Sequence, residues 1–285
     1  MVGDVSVREP YLDHFDRDAS CLYAKRLFLF DLDGTINQDD RLFDGALDLM
    51  RSIRAMGGEY AFITNNSIHS VEDLVRKFAH LGLDVRPSQC CTATIATIGF
   101  LQAKYPGQLV YCQGTDSLVK ELCQNGIPVT TEVTERAEVI LVGYDGELTY
   151  QKLRNTCEML TRYDVPYLAT NPDLACPASF GFVPDCGSIC QMLENATRRK
   201  PRFIGKPEPE MVYLAEKRFG VSKDKTVVIG DRLYTDIAAG INAGVTTVAV
   251  LTGEATAESI QAGPITPDIT FPSVREMADC LRRAL

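Results

Sequence analysis

Asp31 and Asp33 stand two residues apart in Asp31-Leu32-Asp33-Gly34-Thr35, directly after the apolar run Leu27–Phe30. Residues two apart on an extended chain share a side, so the two carboxylates face the same way. Gly34 and Thr35 break the strand, which leaves the pair at its carboxyl end, where open α/β sheets bind ligands. Close carboxylates repel, and a protein tolerates them where a cation or a proton transfer uses both. The competing reading is an Asp cap at an ordinary strand-to-turn junction. Three further segments weigh against it. Thr64-Asn65-Asn66-Ser67 ends a second apolar strand, and Gly205-Lys206-Pro207 precedes a helical pattern. Gly230-Asp231-Arg232-Leu233-Tyr234-Thr235-Asp236 follows a third apolar run that starts at Thr226. Acid pair, hydroxyl, lysine and acid pair, each at a strand end or helix start, form the inventory for moving a phosphoryl group with a divalent metal.

Alternating strand and helix patterns must hold these residues in place. Ala46, Leu49, Met50 and Ile53 keep helical spacing, as do Val71, Leu74, Val75 and Phe78. Ser70 and Asp73 resemble a capping pair for the second of these, and Gly82 a stop. Met211, Leu214, Ala215 and Phe219 repeat the pattern before Gly220, and Ile237 and Ile241 fit another helix with Thr235 as its N-cap. Residues 245–251 read as a buried strand. The alternation implies right-handed βαβ units and a mostly parallel sheet. Between Asp31 and Thr64 there is room for one helix and one strand. From Thr64 to Lys206 there are 206 − 64 = 142 positions, far more than one crossover needs, so a second domain is inserted there. Its own alternation predicts strands at 109–112, 139–142 and 166–170, and helices at 117–125, 150–162 and 188–196.

The chain has 285 residues, 45% of them hydrophobic, and a formal net charge of −9. That suits one or two domains with real cores. An acidic chain is a poor candidate for sequence-independent nucleic-acid binding, although local cations can still hold an anionic substrate. No apolar run approaches the length of a membrane span. Neither nucleic acid nor membrane is therefore expected as a partner. The first twenty-odd residues mix charges and lack an apolar signal core; residues 1–24 read as a polar extension, and a cytoplasmic location is expected. Ten cysteines without a C-x-x-C pair, beside three histidines, read as reduced thiols rather than a zinc site.

The motifs, in this combination and order, resemble those of the haloacid dehalogenase (HAD) superfamily, above all its capped NagD-like, p-nitrophenylphosphatase-like branch (class IIA). The likeness runs from Asp31 to Asp236 and takes in residues 41–45, Ala169-Thr170-Asn171-Pro172-Asp173 and residues 236–244. It implies an α/β fold: a Rossmann-like doubly wound parallel sheet with an inserted α/β cap. The catalytic core would span 1–86 and 200–285, and the cap 87–199. The resemblance implies a Mg²⁺-dependent phosphatase for small phosphorylated metabolites, working through an aspartyl-phosphate. Asp31 would be the nucleophile and Asp33 the general acid and base. ATPase and dehalogenase relatives lack the second acid, so Asp33 argues for phosphatase or mutase chemistry. Asp31, the backbone carbonyl of Asp33, and Asp231 would hold Mg²⁺, with Asp236 orienting from behind. Lys206, Thr64, Asn65, Asn66 and Arg232 would face the phosphoryl oxygens. Single members keep plainer readings: Thr64 as a helix cap, Lys206 as a surface lysine, Arg232 as a structural ion pair.

Residues 173–188, rich in Pro and Gly, are the candidate substrate-facing loop, with Asn171, Asp173 and Cys176 as specificity candidates. Gly187-Ser188 reads either as an anion site or as a plain cap. Asn37-Gln38 departs from the aromatic-aliphatic pair common in the family, which bears on substrate identity. Caps of this class often meet in homodimers, so a homodimer is an expected state. Two other functions compete: phosphoryl transfer to an acceptor other than water, and a non-catalytic phosphate-binding regulator. The intact acid pair, Lys206 and Asp231 argue against the second.

Overall fold

The computed structural model describes residues 10–38, 40–65, 71–178 and 180–285. Asn66 and the Ser70 cap therefore lie outside the described residues. The chain divides into two compact units, residues 1–60 with 219–285 and residues 61–218. The expected core and cap, by contrast, divide at 86/87 and 199/200.

In the first unit, strands Ile269–Phe271, Thr246–Val250, Thr226–Gly230 and Leu27–Phe30 lie side by side in that order. All three pairings are parallel. Leu27–Phe30 and Thr226–Gly230 are buried along their whole length, as β-branched and aromatic runs are when a parallel sheet is covered on both faces. The strand Glu59–Thr64 begins here, with Glu59 N–H donating to the Arg26 carbonyl at 2.7 Å. Helix Ala46–Ala55 buries Leu49, Met50 and Ile53, the spacing read from the sequence. It meets helix Val274–Arg282 through an Arg282–Asp48 ion pair of 2.7 Å.

Residues 10–24, expected as a polar extension, are tied into this unit. Asp13 is buried and accepts from the backbone of Phe15, Arg17 and Thr270 at 2.8–2.9 Å. Arg17 closes the box with bonds to Asp13, the Pro267 carbonyl and Thr270. Phe15 packs on Ile237, Ala249 and Ile260. The polar composition hid this because a charged box covers the last strand's edge, where exposed backbone would otherwise invite pairing.

In the second unit, the end of Glu59–Thr64 pairs in parallel with Cys90–Thr92. A five-stranded sheet follows in the order Arg202–Phe203, Tyr167–Ala169, Val139–Val142, Val110–Gln113, Val129–Thr130, and every pairing is parallel. Helices Tyr150–Arg162 and Cys186–Thr197 supply Met159, Leu160, Ile189 and Leu193 to its core. Thr149 caps the first with its side chain, accepting from Lys152 N–H at 3.2 Å. The expected 173–188 loop is a β-hairpin, Ala175–Ala178 with Gly181–Pro184, and its Pro and Gly content masked the strands. Among the described residues no helix is long and apolar enough to cross a membrane. None of the ten cysteines forms a disulfide. Burial pushes Cys90 and Cys91 up to about 11 and Cys112 up to about 12, so these thiols stay protonated at neutral pH.

Candidate active site

The register of two strands assembles the acid cluster of the first unit. Phe30 sits opposite Ile229, and Asp31 N–H extends the ladder to the Ile229 carbonyl at 2.9 Å. Asp31 and Asp231 therefore emerge together at the carboxyl ends of neighbouring parallel strands. Asp236 arrives through a single wide helical turn, Leu233–Ile237, that runs into helix Ala238–Ala243. Thr235 lies inside this turn and does not cap the helix. Asp31, Asp231 and Asp236 each offer a carboxylate oxygen, and these atoms lie within 4.8 Å of one another. At that separation, two ionised carboxylates repel by about 3 kcal/mol at an effective dielectric near 20. Burial first, then the Asp236 charge, raise the pKa of Asp231. This donor set of hard oxygens fits a divalent cation.

Neighbours hold the cluster in place. Thr35 Oγ1 donates to Asp231 at 3.0 Å and Glu254 N–H donates to its other oxygen at 2.9 Å. Arg232 N–H donates to Asp236 at 3.0 Å. Gly34 has φ +90°, and a Cβ there would stand 2.6 Å from an Asp231 oxygen, so both conformation and space demand glycine. The Thr252 hydroxyl donates to the Gly34 carbonyl at 2.6 Å. Arg232 pairs through Nε with Glu254 at 3.2 Å, and the Tyr234 hydroxyl donates to the same carboxylate at 3.3 Å. Burial works against the Arg232 charge, yet Asp31 and then Tyr234, Asp231 and Asp236 raise its pKa. Asp33 is exposed, and Asn37 Nδ2 donates to its carboxylate at 2.8 Å.

A second group gathers within the other unit. Thr64 ends its strand and Asn65 follows it; both are buried, as is Lys206. Lys206 Nζ donates to the Ile63 carbonyl at 3.1 Å. The Asn65 side chain bonds to the backbone of Lys206 and to Asp173. Asn171 reaches Asp173 at 2.9 Å and Asp185 at 3.1 Å. Cys176 is buried on the hairpin strand Ala175–Ala178. Gly187 and Ser188 lie inside helix Cys186–Thr197, with Asp185 as N-cap. Gly187 N–H is taken by the Asp173 carbonyl at 2.8 Å, which favours the plain cap over an anion site.

Sequence reasoning passed over Thr35, Thr252, Glu254 and Asp185. Thr252 and Glu254 follow Thr246–Val250, the strand beside Thr226–Gly230. A polar turn after a strand adjacent to one that ends in a candidate site acid is the signal that would have found them. Asn37, noticed as a departure from pattern, turns out to contact Asp33.

A family model described as haloacid dehalogenase-like hydrolase matches residues 28–128, and a HAD-hydrolase-like model matches residues 203–277. An acid sugar phosphatase of Staphylococcus aureus is 31% identical over 251 residues, which are 88% of this chain and 96% of that protein. The crystal structure of a 4-nitrophenylphosphatase from Thermotoga maritima superposes with a TM-score of 0.86 at 35% identity, covering 92% of this chain and 99% of the other. NagD from E. coli K-12 gives a TM-score of 0.81 at 30% identity, covering 88% and 98%.

Proposed function

The chain belongs to the haloacid dehalogenase-like hydrolases as a NagD-like phosphatase, a phosphoric monoester hydrolase, and from that premise we propose that it hydrolyses small phosphorylated metabolites with Mg²⁺ through an aspartyl-phosphate. The observation that carries this reading is the Asp31–Asp231–Asp236 cluster, two acids at strand ends and a third from the helical turn Leu233–Ile237. Asp31, Asp231 and the main-chain carbonyl of residue 33 would hold Mg²⁺, which when bound offsets carboxylate charge and draws electron density from the phosphoryl group.

The Asp31 carboxylate attacks phosphorus in line and the ester oxygen leaves. Asp33 gives that oxygen its proton. It then takes a proton from the water that cleaves the aspartyl-phosphate, which restores both groups and releases phosphate. Asn37 keeps the Asp33 carboxylate aimed through its 2.8 Å bond. Lys206, Thr64 and Asn65 are assigned to the phosphoryl oxygens by the order of their motifs, and Arg232 adds positive charge beside Asp31.

Residues 87–199 are the proposed cap, residues 173–188 the segment that selects the substrate, and cytoplasmic homodimers the working state. Sugar phosphates come first among substrates because the Staphylococcus aureus relative is named an acid sugar phosphatase. The test is phosphate release from a panel of sugar phosphates, nucleotides and p-nitrophenyl phosphate, using chelator-stripped protein with and without added Mg²⁺. Release restored by Mg²⁺ is expected; no release from any ester, or restoration by Zn²⁺ alone, rejects the reading.

A further inference from the structure

Asn65 joins three partners within the second unit. Its Oδ1 accepts from Lys206 N–H at 2.8 Å, and its Nδ2 donates to the Lys206 carbonyl at 2.9 Å. The same Nδ2 donates to Asp173 Oδ2 at 2.7 Å. Turned over, the amide would set its oxygen against a carboxylate and a carbonyl, so its partners fix its orientation. Gly205 seats the chain on this network. A Cβ there would come within 2.6 Å of Asn65 Oδ1 and 2.7 Å of the Thr170 carbonyl, and Gly205 N–H donates to that carbonyl at 2.7 Å.

Asp173 is itself held from two sides. Its carbonyl accepts from Gly187 N–H at 2.8 Å. Its Oδ2 also accepts from Asn171 Nδ2 at 2.9 Å, and that amide reaches the helix cap Asp185 at 3.1 Å. One carboxylate oxygen thus gathers two side-chain amides, each of them buried. Two residues later the chain enters the hairpin strand Ala175–Ala178. A charge-assisted bond in such a setting is stronger than a neutral one and tolerates little displacement.

We propose that Asp173 is a positioning residue for phosphate recognition: through Asn65 it sets the backbone of Lys206, and it does not contact the leaving group. The proposal rests on the function given above and deepens it, because it divides the 173–188 segment between two tasks. Asp173 serves the phosphate, which all substrates share. The hairpin beyond it, with Phe180 and Phe182 largely exposed, serves the part that differs.

The test compares wild type, Asp173→Ala, Asp173→Asn and Phe182→Ala in steady-state kinetics on three esters, with calorimetric titration of inorganic phosphate. Asp173→Ala should raise KM for every ester and the phosphate Kd together, by about tenfold, with kcat changed less than about threefold and the substrate order preserved. Asp173→Asn keeps an oxygen that accepts the same two bonds, so it should restore values to within about threefold of wild type. Phe182→Ala should leave phosphate affinity unchanged. Should Asp173→Ala prove too unstable to purify, Asp173→Glu keeps the charge, displaces it by one methylene, and should move KM and Kd together by a smaller factor. Equal phosphate affinity in wild type and both Asp173→Ala and Asp173→Glu overturns the role of Asp173, as does a reordering of substrates with phosphate affinity intact. Absence of turnover by the wild type rejects the functional reading instead, while the phosphate titration still decides on Asp173.

Discussion

The acid cluster of the first unit and the amide network of the second solve opposite electrostatic problems. Around Asp31, Asp231 and Asp236, charges of one sign are brought within 4.8 Å, and burial and repulsion raise the pKa of Asp231. Around Asn65, Asp173 and Asn171, each amide hydrogen bond has a defined partner, and one carboxylate is met by two donors. A cluster built on repulsion is complete only with a cation, whereas a network of satisfied polar groups rigidifies what it touches. The first is suited to chemistry and the second to placement. Changes in the first should therefore appear in kcat and metal response, and changes in the second in KM.

The largest break comes at Asp31. Asp31→Asn removes the attacking oxygen and should lower phosphate release by about 10³-fold or more, while the melting temperature stays at or above that of the wild type. A variant with near-normal release would end the assignment of Asp31 as nucleophile. Next is Asp33→Asn, whose loss should be far greater on a sugar phosphate than on p-nitrophenyl phosphate, because a good leaving group needs little protonation. Asn37→Ala should show the same bias at smaller amplitude, having lost only the bond that aims Asp33. Equal fractional losses on both esters would remove Asp33 as the acid.

A smaller effect sharpens the electrostatic side of the comparison. Asp231→Asn, measured without metal at neutral pH, should melt higher than wild type, by about 2–4 °C for each kcal/mol of burial cost and repulsion relieved. The sign follows from the raised pKa. Ionising Asp231 costs stability in the fold, so its favourable contribution is present below the ordinary carboxyl value of 3.8 and is lost as pH rises through the raised one. The advantage of Asp231→Asn should shrink as pH falls toward 3.8. A gap that does not change with pH would mean that the cost of ionising Asp231 is not its origin. Smallest of all, Phe182→Ala on the hairpin should alter KM for individual esters by a few-fold and leave the Mg²⁺ requirement alone.

Much of this was legible in the chain. The strands Leu27–Phe30, Glu59–Thr64 and Val139–Val142 and the helix Tyr150–Arg162 fall where apolar periodicity put them, because buried parallel strands and amphipathic helices write their period into the sequence. The acids at strand ends were legible because they recur in order with Thr64 and Lys206, whereas a single Asp after an apolar run could be an ordinary turn or cap. What stayed hidden depends on partners distant in sequence. The Asp13 box bonds to Thr270, 257 residues away, and nothing local marks it. Thr252 and Glu254 serve the site because the strand before them happens to neighbour Thr226–Gly230. Asn65 and Asp173 are 108 residues apart. The hairpin at Ala175–Pro184 was concealed by its Pro and Gly residues, which a two-stranded ribbon accommodates more easily than a central strand does.

The metal role of the Asp31–Asp231 pair is tested most directly by a Mg²⁺ titration of chelator-stripped wild type and Asp231→Asn, followed together by calorimetry and by phosphate release. Mg²⁺ should bind the wild type, release from p-nitrophenyl phosphate should rise with the same binding curve, and Asp231→Asn should show neither. Full phosphate release by the stripped wild type, or equal Mg²⁺ binding and activity in Asp231→Asn, would contradict that role.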